Sequence, residues 1–119
     1  MSWKLSTDRQ IWLQLEEILT QRVVSGQYPP GVRIPSVRDL AAEAGVNPNT
    51  MQRALSALEG GGLIFSERTT GWFVTNNLEL IRQAKEELAR SSVQIFFSSM
   101  AELGYSKDDA ISMANELKE

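Results

Sequence analysis

Apolar residues recur at helical spacing through the first stretch of the chain. Ile11, Leu15, Ile18, Leu19 and Val23 share one face between Asp8 and about Ser25, which predicts an amphipathic helix. Ser6, Thr7 or Asp8 is available to cap it and Gly26 to stop it. The period breaks at "QYPPGVRIPS", where Pro29, Pro30 and Gly31 impose a turn and Val32-Arg33-Ile34 has the length of one short strand before Pro35. A second helix is expected from Ser36, because Ser36 and Asp39 stand as in a capping box and Val37, Leu40, Ala41 and Ala44 make an apolar side. Gly45 ends it. Only "GVN" separates it from a third helix, with Asn47 as N-cap and Pro48 in the first turn, where a missing N–H is harmless. Two short helices joined through a tight glycine-containing turn predict a helix-turn-helix.

The third helix has two faces. Met51, Ala54, Leu55 and Leu58 point inward, and Asn49, Gln52, Arg53 and Ser56 follow the same spacing on the outside. Amide and guanidinium groups can bond base edges in the major groove, and a helix N-terminus favours a phosphate. Taken alone, the same stripe also fits a plain solvated face. After three glycines, Leu63–Glu67 and Trp72–Val74 read as two strands joined through Arg68-Thr69-Thr70-Gly71, with Gly71 where a positive φ is needed. Arg68 at this wing tip suits a phosphate or an A·T-rich minor groove, or simply keeps an exposed hairpin soluble.

The remaining segment predicts a long helix ending at Leu103-Gly104. A short helix follows, capped by Ser106 and Asp109, with Ala110, Ile111, Ala114 and Leu117 on one side. Leu78, Ile81, Leu88, Ile95, Phe96, Met100 and Leu103 offer more apolar surface than a lone helix pair hides. A symmetric second copy would cover it; folding back on the first segment is the alternative. The fold class expected is therefore mainly α with a small β-wing. Residues 1–75 form a winged helix-turn-helix DNA-binding domain and residues 76–119 a two-helix dimerisation segment.

Composition removes most enzymes from consideration. Among the 119 residues there is no cysteine and no histidine. Disulfides, thiolate nucleophiles, the commonest general base and the best soft-metal ligands are therefore excluded. No phosphate loop or paired-carboxylate constellation stands in their place, so neither catalysis, a metal nor a cofactor is expected. The absence of cysteine and of a signal-peptide pattern, with no apolar run near the roughly 18 residues of a span, predicts a cytoplasmic protein away from membranes. A net charge of -3 weighs against nucleic acid only until it is divided along the chain. Residues 1–75 hold seven basic and seven acidic groups, and the surplus acid lies beyond them.

The succession of helix, "GVRIPSVRDLA", "GVNPNTMQRALSALEGGGLI" and a hairpin with "TGWFV" resembles the winged helix-turn-helix of GntR-type bacterial transcription regulators. The likeness covers about residues 8–75. It implies that Arg38 contacts backbone or base, that Asn47, Asn49 and Thr50 hold phosphate or read bases, and that Arg68, Thr69, Thr70 and Gly71 enter the minor groove. Gln52 and Arg53 complete the expected contact set. Many relatives have arginine where this chain has Gln52, which on hydrogen-bond geometry suits adenine better than guanine. A small polar residue is common where Trp72 stands, and Trp72 is expected to pack under the wing. The short tail is similar to that of the YtrA-like subfamily, which implies a homodimeric repressor on a palindromic operator, often of a transporter operon. A tail this short leaves any small-molecule effector only a cleft against the winged helix or across the dimer, and no residue identifies one. The runner-up reading is a winged-helix protein-interaction module without DNA.

Overall fold

The computed structural model describes residues 3–117. Its elements run α1 (Ile11–Val24), α2 (Val37–Ala44), α3 (Pro48–Gly60), β1 (Ile64–Glu67), β2 (Gly71–Val74), α4 (Leu78–Glu102) and α5 (Lys107–Glu116). The expected class, mainly helical with a two-stranded antiparallel wing, is the one observed.

Local chemistry sets most of the boundaries. The Ser36 hydroxyl accepts from the Asp39 N–H at 3.1 Å, and Gly45 closes α2 with φ of 73°, a left-handed conformation that costs glycine little. In α3 the Asn47 Oδ1 accepts from the Asn49 N–H at 2.7 Å, with Pro48 beside it in the first turn. The start of α1 departs from expectation, since Gln10 occupies the cap position and makes no side-chain cap bond. The candidates before it are engaged elsewhere. The buried Gln14 side chain accepts from the Ser6 N–H at 2.7 Å and donates to the carbonyls of Ser6 and Arg9 at 2.9 and 3.0 Å, while the Ser6 hydroxyl turns to Asp8. This holds residues 6–9 in a loop against the helix.

The chain divides into two compact units, one through Lys85 and one from Glu86. In the first, the inner face of α3 (Met51, Ala54, Leu55, Leu58) is buried with Leu15, Leu19 and Val23 of α1, Leu40 and Ala41 of α2, and Leu63, Ile64 and Val74 of the wing. β1 and β2 pair Ile64 with Val74, Phe65 with Phe73, Ser66 with Trp72 and Glu67 with Gly71. Trp72 thus shares the inward face of Ile64 and Val74, and it packs against the core beneath the wing. The expected Val32–Ile34 strand is present as a single antiparallel bridge from Arg33 to Phe73. Leu80, Ile81 and Ala84 of α4 pack on this core, so the first turns of α4 belong with the winged unit. In the second unit Ala110 is fully buried, and the reciprocal Ser106–Asp109 capping box starts α5.

One polar cluster ties the start of the chain to α1 and α2. The buried Arg22 guanidinium donates to Glu43 and to the Tyr28 hydroxyl, both at 2.7 Å, and lies 4.4 Å from the Trp3 ring centroid. The Trp3 indole N–H donates to the same Glu43 carboxylate at 2.7 Å. The Arg22 bond holds the Glu43 carboxyl below its ordinary value against some desolvation, and the Trp3 bond adds to the effect. A carboxyl lowered on folding contributes stability that is present above its unfolded pKa and lost as pH falls through the folded one. Glu43→Gln is therefore expected to cost about 1–2 kcal/mol at neutral pH, reduced from a fully buried pair because Glu43 is partly exposed. The gap between parent and variant in urea midpoints should shrink below about pH 4. A gap that stays constant to pH 2.5 would show that the ion pair does not stabilise the fold.

Candidate nucleic-acid interface

The outward face of α3 carries Asn49, Gln52, Arg53 and Ser56, all exposed, with Thr50 half-buried at the first turn. Capping occupies the Asn47 carbonyl oxygen and leaves its amide N–H groups able to donate to a phosphate. Gln52 donates to the Ser56 hydroxyl at 3.2 Å, so its amide is aligned along the helix surface. The Arg53 guanidinium stacks over the Trp12 ring of α1 at 4.3 Å from its centroid. The Trp12 indole N–H is itself held by Gln10 Oε1 at 2.6 Å. Arg53 therefore stands as a propped side chain, a contact of long sequence range that its helical spacing does not disclose.

Arg38 is exposed in the first turn of α2. At the wing tip Arg68, Thr69 and Thr70 are exposed, and the Thr70 N–H closes the turn on the Glu67 carbonyl at 3.1 Å. Gly71 has φ of 117°, where a side chain would be strained, so the tip depends on glycine for its shape. The Ser66 hydroxyl donates to Glu59 at 3.0 Å and fastens the wing to the end of α3.

The ion pairs distinguish the basic groups of this unit that are already engaged from those that are not. Arg9 pairs with Glu17 and Arg22 with Glu43, each at 2.7 Å. Among the described residues Arg33, Arg38, Arg53 and Arg68 have no carboxylate within ion-pair reach. Arg9 and Arg22 are thus engaged by acids, while the arginines of α2, α3 and the wing stay outside ion pairs and available to an anionic ligand, although Asp39, Glu59 and Glu67 share those elements.

Of the tail positions expected at a dimer face, Leu78, Ile95, Phe96 and Leu103 are exposed, Leu88 and Met100 are half-buried, and Ile81 is half-buried against the core of the winged unit. Among the described residues no helix is long and apolar enough to cross a membrane.

A helix-turn-helix with a polar outer stripe, followed by a hairpin with a basic tip, defines a winged-helix DNA-binding protein. The family model described as "Bacterial regulatory proteins, gntR family" matches residues 12–74. The chain belongs to the GntR family, and it is a DNA-binding transcriptional regulator. It is 32% identical to the uncharacterized HTH-type transcriptional regulator YhcF of Bacillus subtilis over 111 residues, 93% of this chain and 92% of that one. It is 34% identical to the HTH-type transcriptional repressor YtrA of Bacillus subtilis over 67 residues, 56% of this chain and 52% of that protein. Among solved structures, a GntR family transcriptional regulator from Listeria monocytogenes superposes with a TM-score of 0.86 at 31% identity, covering 96% of this chain and all of that one. The relatives are regulators rather than enzymes, and the likeness to YhcF and to the Listeria protein continues into the tail.

Proposed function

We propose that the protein is a cytoplasmic homodimeric repressor that binds a palindromic operator. The winged unit reads DNA and the tail holds the two copies together. The observation that carries this reading is the placement of arginines without acid partners on α2, α3 and the wing, around an exposed stripe of amide side chains. Arg38, Asn47, Asn49 and Thr50 position the protein on phosphates and bases, and Gln52 and Arg53 read base edges. Arg68, Thr69, Thr70 and Gly71 follow the adjacent minor groove. Repression follows the name of the YtrA relative, and two-fold symmetry places half-sites about one helical turn (roughly 10 bp) apart, or further if the tail spaces them widely. The promoter of a transporter operon beside the protein's own gene is the first place to look for such a repeat.

The test is selection of bound sequences from random duplex DNA, with protein stoichiometry measured on the product. An inverted repeat bound by two chains is expected. Gln52→Ala should relax preference at one base pair of each half-site and cost about 1–3 kcal/mol, whereas Arg68→Ala should weaken operator and random duplex alike and flatten the salt slope by about one unit. Enrichment of nothing above background by folded dimer would overturn the operator reading in favour of a protein partner.

A further inference from the structure

We infer that Arg33, which lies outside the helix-turn-helix and the hairpin, is a second phosphate-binding arginine of the wing; this rests on the DNA-binding reading above. The backbone of Arg33 is held in place by β2. Ile34 donates to the Trp72 carbonyl at 2.9 Å, Val74 donates to the Val32 carbonyl at 3.0 Å, and Arg33 bridges Phe73 between them. The short segment therefore acts as a third strand, and β2 separates it from β1.

Its side chain runs to the base of the wing tip. A Cβ built on Gly71 would lie 3.0 Å from Arg33 Nε and 3.3 Å from Nη2, so the guanidinium rests against the bare glycine backbone. Gly71 thus serves twice, once through its positive φ and once by leaving room for this side chain. Arg33 is exposed and has no carboxylate or aromatic partner among the described residues, although Glu67 lies across the hairpin from Gly71. Arg9, Arg22 and Arg53, by contrast, are each held by an acid or a ring. A guanidinium left in this way against Gly71, which follows the turn that carries Arg68, Thr69 and Thr70, presents a planar fork of donors where a wing in the minor groove meets the sugar-phosphate backbone. Because the contact is to phosphate, it adds affinity without adding sequence preference.

The experiment is fluorescence anisotropy with the full-length protein, over a salt series, on a duplex carrying the selected repeat and on a random duplex. Arg33→Gln is compared with Arg33→Lys and with Arg9→Gln, which removes the same charge from an ion pair on another part of the surface. Arg33→Gln is expected to weaken both duplexes by on the order of tenfold and to reduce the salt slope by about 0.9, with an unchanged melting temperature. Arg33→Lys should keep the slope and lose less affinity, and Arg9→Gln should resemble the parent. A parent that binds its repeat while Arg33→Gln matches it in affinity and slope overturns the Arg33 assignment alone. A loss confined to the repeat overturns the backbone role. A parent that binds no duplex overturns the DNA-binding reading, and this inference with it.

Discussion

Replacing Ile95 and Phe96 together by Glu is expected to convert a dimer to a monomer and to lower affinity for a palindromic operator by roughly a hundredfold to ten-thousandfold. Ile95 is 63% exposed and Leu103 73% exposed in the isolated chain, and Val93, Phe96, Ile111 and Leu117 are exposed as well. Soluble monomers rarely leave so many large apolar groups on one small helical unit, because each withheld from water is worth about 1.5–3 kcal/mol. A two-fold partner would cover the same patch on both copies, so the carboxylates substituted on each copy would be brought into one shared interface. Like charges brought together in a dehydrated interface oppose association strongly. The fold of the winged unit should be untouched, since its core draws on residues only as far as Ala84.

Operator affinity falls because the second half-site is no longer bound at the effective concentration the tail provides, while affinity for a single half-site duplex stays close to that of the parent. Sedimentation velocity gives the mass, and anisotropy on full and half operators separates the two terms. A variant that remains dimeric would place the interface elsewhere. A monomer that binds the full operator like the parent would show that dimerisation contributes nothing to recognition.

The parts of the fold that were legible in the sequence are those whose cause is local. Ser36, Gly45, Asn47 and Pro48 act within a few residues of their own position, so both ends of α2 and the start of α3 follow from them. The inward and outward faces of α3 follow equally from 3.6-residue spacing. What escaped depends on partners far along the chain. Gln14 gathers residues 6–9 and moves the start of α1, and nothing in its spacing marks it as a buried hydrogen-bonding residue. Arg22 meets Glu43 and Trp3 only after α1 and α2 have packed.

The candidate interface shows the same division. Its stripe on α3 and its wing tip were legible, whereas the stack of Trp12 under Arg53 and the seat of Arg33 on Gly71 require tertiary structure. Such contacts decide where a guanidinium points, which sequence spacing alone cannot specify. The division of the chain is a further case: Leu80 and Ala84 were not separable by pattern from the rest of α4, yet with Ile81 they serve the winged core.

Leu55→Ala is expected to destabilise the winged unit by about 2–5 kcal/mol and to leave operator affinity at low temperature nearly unchanged. Leu55 is fully buried in α3, among a core to which α1, α2 and the wing all contribute, so deleting the side chain beyond Cβ leaves a void that rigid helices close only in part. Against a total stability of roughly 5–15 kcal/mol for a domain, that loss should lower the melting temperature by about 10–30 °C. The outer face of the same helix behaves in the opposite way. Gln52 is exposed and its bond to Ser56 is a surface one, so Gln52→Ala should move the melting temperature by only a degree or two while it changes base preference. Two substitutions three residues apart therefore separate folding from reading. Thermal unfolding and anisotropy at 10 °C check both at once, and a Leu55→Ala protein that is still folded at 10 °C but no longer binds would mean that the inner packing of α3 sets its reading geometry as well as its stability.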